Sequence, residues 1–397
     1  MIVEPKIRGF ICTTAHPAGC AYHIEEQINY VKTAGQFEGP RKVLVIGAST
    51  GYGLASRITA AYGSGAATIG VSYDKASNGK RTATAGWYNT VAFENAANRD
   101  GLYAKSFSGD AFSHEMKADV IKAIKADLGQ VDMVVYSLAS PRRVDPDTGA
   151  IYGSVLKPVT DDYNNITIDI ISGKISDVSI EKATDEEIIN TTKVMGGEDW
   201  MIWIKALSEA GVLADGVITT AYSYIGPELT FDIYRSGTIG IAKEHLEKTA
   251  FEITDLLKDI NGQGYVSVCK ALVTQASAAI PVVPLYITLL YKIMKENGTH
   301  EGCIEQIYRL MNEKLYAETT LVDAEGRVRV DDLEMKEAVQ NEITKIWQTI
   351  KTRDLSKVAD MAGFRSDFLH LFGFGFDAVN YEADVKIELP IPSIKED

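Results

Sequence analysis

From Lys42 to Ser140 the chain alternates short, nearly all-apolar β-branched runs with amphipathic stretches. Parallel strands joined by crossover helices give this pattern, because each strand is buried on both faces and each helix on one stripe. It predicts strands at Val43–Ile46, Ala67–Ser72, Leu102–Lys105 and Met133–Tyr136, with helices near Gly53–Tyr62, Trp87–Asn98 and Ser113–Leu128. Between Val144 and about Thr184 the alternation breaks. There Ile166–Ile180 alternates β-branched and polar residues around Ser172-Gly173, which predicts a β-hairpin insertion within 144–184. Regular order resumes with a helix near Trp200–Ala210, a strand at Val217–Ala221, a helix at Thr238–Leu257 and a strand at Tyr265–Val268. Helices at Pro284–Lys295, Glu301–Leu315 and Asp332–Ile350 make the part from 276 to 397 helix-rich. With no repeat, low-complexity tract or flexible linker, residues 1–397 read as one elaborated α/β domain built on a doubly wound parallel sheet.

Composition narrows the function classes. Lys and Arg number 40 against 54 Asp and Glu, a net charge of −14, which repels a phosphate backbone and argues against nucleic acid as a partner. The most apolar run, Ala276–Tyr291, carries Pro281 and Pro284 and is shorter than the roughly 20 residues of a spanning helix, so it predicts a buried helix and no membrane anchor. Cys12, Cys20, Cys269 and Cys303 are too few for a disulfide framework, and no charged-then-apolar leader opens the sequence. A reduced cytoplasmic protein is the expectation. Cys12, His16, Cys20 and His23 cluster in sequence, but Pro17 and Gly19 interrupt helical spacing and no C-x-x-C pair occurs, so no metal is assigned.

Candidate chemistry begins where Val43–Ile46 runs into Gly47-Ala48-Ser49-Thr50-Gly51-Tyr52-Gly53 and a helix start. A strand, a glycine-rich turn and a helix N-terminus suit a dinucleotide pyrophosphate: glycines permit close backbone approach, and the first-turn N–H groups receive negative charge. The G-x-x-x-G-x-G spacing resembles the short-chain dehydrogenase and enoyl reductase version of the Rossmann-type turn. Asp74, 21 residues beyond Gly53, stands where an acid accepts the adenosine ribose hydroxyls and repels a 2′-phosphate, which favours NAD(H) over NADP(H). Asp110-Ala111 and Ser137–Ser140 follow later strands, where ligands of open α/β sheets sit.

Tyr234 and Lys243 form the candidate catalytic pair. A tyrosine beside the nicotinamide can donate to a carbonyl oxygen that gains charge as hydride arrives, while a lysine holds the ribose and favours tyrosinate. Nine residues at about 100° each amount to about 900°, which puts the two on opposite sides of one straight helix. The helix must therefore break between them, with Ser236-Gly237-Thr238 as the break and Thr238 as N-cap. Tyr222 and Tyr224 share one face of a strand end, from which Tyr224 could hold a substrate carbonyl.

Together these motifs resemble the single-chain NADH-dependent trans-2-enoyl-CoA reductases, also described as V-type enoyl-acyl-carrier-protein reductases. The likeness spans essentially the whole chain. It includes Ala15–Cys20, Gly47–Gly53, Gly86–Asn89, Tyr136–Arg143, Val194–Trp200, Tyr224–Gly226, the Tyr-x8-Lys pair and His300–Gln306. The resemblance implies a short-chain-dehydrogenase-like fold, Tyr234 as catalytic acid, Lys243 on the cofactor and Tyr224 on the acyl thioester. It also implies NADH contacts from Gly47, Ala48, Ser49, Thr50, Gly51, Tyr52, Tyr73, Asp74, Asp110, Ala111, Leu138, Ala139, Leu272, Val273 and Thr274. Tyr73-Asp74 departs from the Phe-Glu of some members and keeps the acid. The expected substrate is a trans-2-enoyl thioester of coenzyme A or acyl carrier protein, with the 276–397 part on the substrate side, the 276–291 run as a wall for the acyl chain, and Arg142-Arg143 offered to carrier phosphates or acids. A monomer is expected. Two other readings share the turn: a carbonyl-reducing short-chain dehydrogenase, whose Tyr and Lys stand four apart, and a nucleotide sensor without chemistry.

Overall fold

The computed structural model describes residues 1–8, 11–138, 140–275 and 277–394; Ala139 and Ala276, named above, lie outside the described residues. Its centre is a seven-stranded, all-parallel sheet of β1 (Lys42–Ile46), β2 (Ala67–Ser72), β3 (Ala104–Ser108), β4 (Val131–Tyr136), β5 (Leu213–Ser223), β6 (Gln263–Val268) and β7 (Val328–Arg329). The strands lie in the order β3-β2-β1-β4-β5-β6-β7. This is a Rossmann-type, doubly wound order, with the reversal between β1 and β4. The main helices are α1 (Pro17–Ala34), α2 (Gly51–Gly63), α3 (Ala85–Arg99), α4 (His114–Ala123), α5 (Asp185–Met195), α6 (Glu198–Glu209), α7 (Thr238–Leu256), α8 (Val283–Glu296), α9 (Cys303–Arg309) and α10 (Glu337–Trp347), followed by Met361–His370.

Period-two alternation sorts the strand residues onto two apolar layers. Val43, Val45, Met133 and Val135 pack against Ile24 and Ile28 of α1, Leu54 and Ile58 of α2 and Ile307 of α9. Leu44, Ile46, Val134 and Tyr136 face Val120 of α4, Trp200 and Trp203 of α6 and Leu246 of α7. A third cluster joins α8 to the hairpin Tyr163–Asp169/Lys174–Ile180 and to the carboxyl-terminal helices. That hairpin turns at Gly173, where φ is 69°.

Several boundaries differ from expectation for local reasons. β3 starts at Ala104, not Leu102, because the Leu102 amide donates to Ala97 and closes α3 over Gly101 at φ 74°. The insertion ends in α5, whose capping box pairs Thr184 with Glu187. α10 begins at Glu337, since 332–335 form a turn. α1, the helix Met361–His370 and the two-residue β7 were not foreseen. Arg143 is 1% exposed, and its Nη1 donates to Glu198 and to the Lys193 carbonyl, so it is withdrawn from any carrier; only Arg142 of that pair is exposed. Among the described residues no helix is long and apolar enough to cross a membrane.

Two ion pairs sit inside the layers. Lys117 of α4 donates to Asp199 of α6 at 2.8 Å, both side chains 2% exposed, and the Tyr136 hydroxyl donates to the other oxygen. Arg57 of α2 lies 3.9 Å from Glu94 of α3, and Glu94 also accepts the amide and hydroxyl of Ser393, whose Oγ in turn accepts the Ser106 amide of β3. Removing one member of a buried pair strands the other charge. Lys117→Met should therefore cost about 3–5 kcal/mol in urea unfolding, and Lys117→Met with Asp199→Leu should recover most of that loss.

Candidate active site

The glycine-rich turn lies between β1 and α2 at the carboxyl edge of the sheet. Gly47 has φ 89°, and a Cβ there would lie 2.1 Å from the Ser137 carbonyl oxygen; a Cβ on Gly53 would lie 1.9 Å from the Gly47 carbonyl oxygen. The turn thus needs glycine for contact as well as conformation. Both the Gly47 and Ala48 amides donate to the Val71 carbonyl of β2. Thr50 occupies the N-cap of α2 without a side-chain cap, so no hydroxyl of its own takes the first-turn amides. Ala48 and Ser49 are buried, and the Ser49 carbonyl accepts from Asn89.

Asp74 follows β2 and meets α3. Its Oδ1 accepts the Thr84 hydroxyl at 2.7 Å, while Oδ2 is buried without a partner among the described residues. Gly86 makes room for it, since a Cβ there would sit 2.4 Å from Oδ1. An unpartnered carboxylate oxygen at this edge suits a diol, and the adjacent Tyr73 ring is exposed. Asp110 is exposed with Oδ1 on the Phe112 amide, and Ala111 is buried. Leu138 reaches the turn: its Cδ2 would be 3.3 Å from a Cβ on Gly47. The loop after β6 brings Leu272, Val273 and Thr274 to the same edge, and the Lys270 carbonyl accepts the Tyr52 hydroxyl at 2.8 Å.

Tyr234 lies in a turn before α7, with its amide donating to Thr230 and Phe231, and Lys243 lies within α7. Helical bonding is interrupted between them, as the spacing required. The N-cap is Gly237, not Thr238. Thr238 begins the helix, and its hydroxyl donates to Val155 at 2.6 Å, which pins the break to the insertion. The Tyr234 ring is 8% exposed and stands edge-on to Tyr224, centroids 4.9 Å apart, and its hydroxyl has no hydrogen-bond partner among the described residues. Burial raises its pKa, with no contribution from Lys243, so the group is a neutral phenol and the expected bias to tyrosinate is absent here. Lys243 Nζ instead donates to the Tyr222 carbonyl at 3.2 Å. Burial lowers its pKa to about 8, against the opposing pull of Cys269 and Glu247. The Tyr222 hydroxyl lies 2.6 Å from Ser56 Oγ of α2, whereas the Tyr224 hydroxyl donates to Glu334. Glu334 is a site residue the sequence reading missed.

Comparison with known proteins gives the family. Residues 81–316 match the family model described as the trans-2-enoyl-CoA reductase catalytic region, and 2–79 match its NAD(P)H binding domain. The chain belongs to the trans-2-enoyl-CoA reductase family. It is 58% identical, over all of both chains, to an enoyl-[acyl-carrier-protein] reductase [NADH] of Flavobacterium johnsoniae. A trans-2-enoyl-CoA reductase [NADH] of Ruminiclostridium cellulolyticum is 55% identical over 99% of this chain and all of its own. The crystal structure of Clostridium acetobutulicum trans-2-enoyl-CoA reductase in complex with NADH superposes with a TM-score of 0.96, at 46% identity and full coverage of both chains.

Residues 322–385 match a model described as an enoyl reductase FAD binding domain. The residues there do not fit a flavin. Among the described residues, no buried polar side-chain atom of 322–385 lacks a partner. Arg327 is held by Asp323 and Glu325, Arg329 by Asp331, and Arg365 by the carbonyls of Ile170 and Ile171. A Cβ on Gly373, in the one Gly-x-Gly run of this stretch, would meet the Cys20 amide nitrogen at 2.5 Å, so helix α1 already fills the space a ligand would need.

Gly53→Ala should raise the dissociation constant for NADH at least about tenfold in a fluorescence titration, because backbone atoms that cannot yield cheaply would have to move. Lys243 has the opposite signature in stability. Its folded pKa of about 8 lies below the ordinary 10.5, so below pH 8 the folded state carries a charge that burial disfavours. Thermal melts should show wild type losing ground to Lys243→Met at neutral pH and regaining it as pH rises from about 8 to 10.5.

Proposed function

We propose that this chain reduces the carbon–carbon double bond of trans-2-enoyl thioesters with NADH, with Tyr234 as the donor to the thioester oxygen and Lys243 on the cofactor. The reading is carried by one observation: a neutral hydroxyl with no partner among the described residues, on a buried tyrosine ring at the same sheet edge as the dinucleotide turn. Bound NADH supplies the hydride that adds at the β-carbon. The Gly47–Tyr52 turn would take the pyrophosphate on the backbone N–H groups beyond Ala48, and Asp74 Oδ2 would take the ribose hydroxyls. Lys243, whose Nζ donates to the Tyr222 carbonyl, would hold the second ribose. As negative charge gathers on the thioester oxygen, the Tyr234 O–H donates to it, and its place inside an apolar wall strengthens that bond. A proton delivered to the α-carbon completes the addition, so one hydride and one proton account for the two new C–H bonds.

The neighbouring Tyr-x8-Lys geometry favours this reading over a carbonyl-reducing dehydrogenase, because Tyr234 stands outside the helix that carries Lys243. The acyl tail is placed on the side of α8 and the carboxyl-terminal helices. Leu285 and Ile287 are wholly buried and serve as core. The handle is coenzyme A or acyl carrier protein. The reading extends to a cytoplasmic monomer, which suits four free cysteines and a core large enough to stand alone.

The test is Tyr234→Phe assayed by NADH oxidation with crotonyl-CoA. Turnover should fall about 10²- to 10³-fold with the NADH dissociation constant within about twofold of wild type. Unchanged turnover would falsify the assignment.

A further inference from the structure

Glu334 lies in the turn between β7 and α10 and is wholly buried. Its carboxyl group gathers three donors from three other parts of the chain. Oε1 accepts the Tyr286 hydroxyl of α8 at 2.6 Å and the Tyr224 hydroxyl at 3.2 Å, and Oε2 accepts the Ala271 amide at 2.7 Å. Gln340 Nε2 donates to the Tyr286 oxygen, which directs the Tyr286 proton to Glu334. Three groups placed to donate, one of them a backbone amide that cannot accept, suit a carboxylate.

The Ala271 contact is part of a wider pattern. In the loop after β6 the Lys270 amide donates to Gln306 Oε1, Ala271 to Glu334, Val273 to the Tyr291 hydroxyl and Thr274 to Ser277 Oγ. This loop holds the Leu272–Thr274 cofactor segment and receives Tyr52 from the glycine turn. Glu334 is the one group here that also grips the tyrosine standing edge-on to Tyr234.

We infer that Glu334 is a positioning residue that locks Tyr224 and the Lys270–Thr274 loop into one unit, so that cofactor and substrate tyrosines keep a fixed register. With its proton committed to Glu334, Tyr224 presents oxygen lone pairs to the site and acts as a wall, and the donation falls to Tyr234. The inference rests on the reductase reading above. The groups facing Glu334 are Tyr52 from α2, Tyr224 from the end of β5, Lys270 from the loop after β6, Tyr286 from α8 and Asp331 from its own segment. Burial raises the Glu334 pKa, opposed by the Tyr286 hydroxyl, the Lys270 charge and the Ala271 amide. When Glu334 takes a proton, its new O–H donates to the Tyr224 hydroxyl oxygen and releases that tyrosine's own proton, which changes the lock on the acid side.

The experiment compares Glu334→Gln, Glu334→Ala and Tyr224→Phe in the full chain, by NADH oxidation with crotonyl-CoA across pH. The glutamine oxygen can keep the Ala271 amide, but its NH2 then turns both hydroxyls into acceptors and frees the Tyr224 proton. Glu334→Gln should lower kcat about tenfold, leave KM for NADH within about twofold, and flatten the acid limb of the kcat profile. Glu334→Ala should lose the loop as well, raising KM for NADH about tenfold. Tyr224→Phe, which removes one hydroxyl and leaves the carboxylate in place, should lower kcat without moving KM for NADH, and it carries the test should either Glu334 variant fail to fold. Wild-type kcat and an unchanged acid limb in Glu334→Gln, or wild-type kcat in Tyr224→Phe, would overturn the role. Wild-type turnover with crotonyl-CoA decides the reductase reading separately, since Glu334 is judged only on ratios to it.

Discussion

Backbone meets backbone at the carboxyl edge of this sheet, and the rest of the site depends on that contact. Gly47 lies against the Ser137 carbonyl at the end of β4, and Gly53 lies against Gly47 itself. No side chain can mediate an approach this close. It sets the start of α2, brings Tyr52 within reach of the loop after β6, and so fixes the distance between the glycine-rich turn and the Leu272–Thr274 segment. The doubly wound strand order places this contact where β1 and β4 part, which is where the crevice opens.

On the other side of the crevice, precision comes from buried polar chemistry. Tyr224, Tyr286 and the Ala271 amide converge on Glu334, while Tyr234 stands within an apolar wall with its hydroxyl unclaimed. The contrast separates the two phenols: the Tyr224 hydroxyl is held by a carboxylate, and that of Tyr234 has no partner among the described residues. A hydroxyl held by a carboxylate has its proton committed, and one without a partner has its proton to offer a ligand.

The sheet and the dinucleotide turn were legible in sequence because their determinants are local. Val43–Ile46, the glycine spacing and Asp74 lie within one strand–helix–strand unit, and strands buried on both faces leave plain apolar runs. The break between Tyr234 and Lys243 followed from helical geometry alone. Other features depend on partners far away in the chain. Glu334 meets Ala271 across 63 positions and Tyr224 across 110, and nothing in Leu333-Glu334-Met335 marks the acid as buried. Arg143 looked like half of a basic pair until Glu198 was seen to hold it. Helix α1 carried a usable signal that went unread: Pro17 in its first turn, after a His16 whose Nδ1 accepts the Gly19 amide.

The tie between Ser393 and Glu94 bears on how such a chain is made. Glu94 sits wholly buried beside Arg57, at the heart of the amino-terminal strands, yet two of its hydrogen bonds come from a residue 299 positions downstream. On the ribosome, the first α/β units emerge and collapse long before that serine is translated. Until it arrives, a desolvated carboxylate and the outermost strand of the sheet wait uncovered, an interval in which a nascent chain is open to chaperones and to pairing with its neighbours.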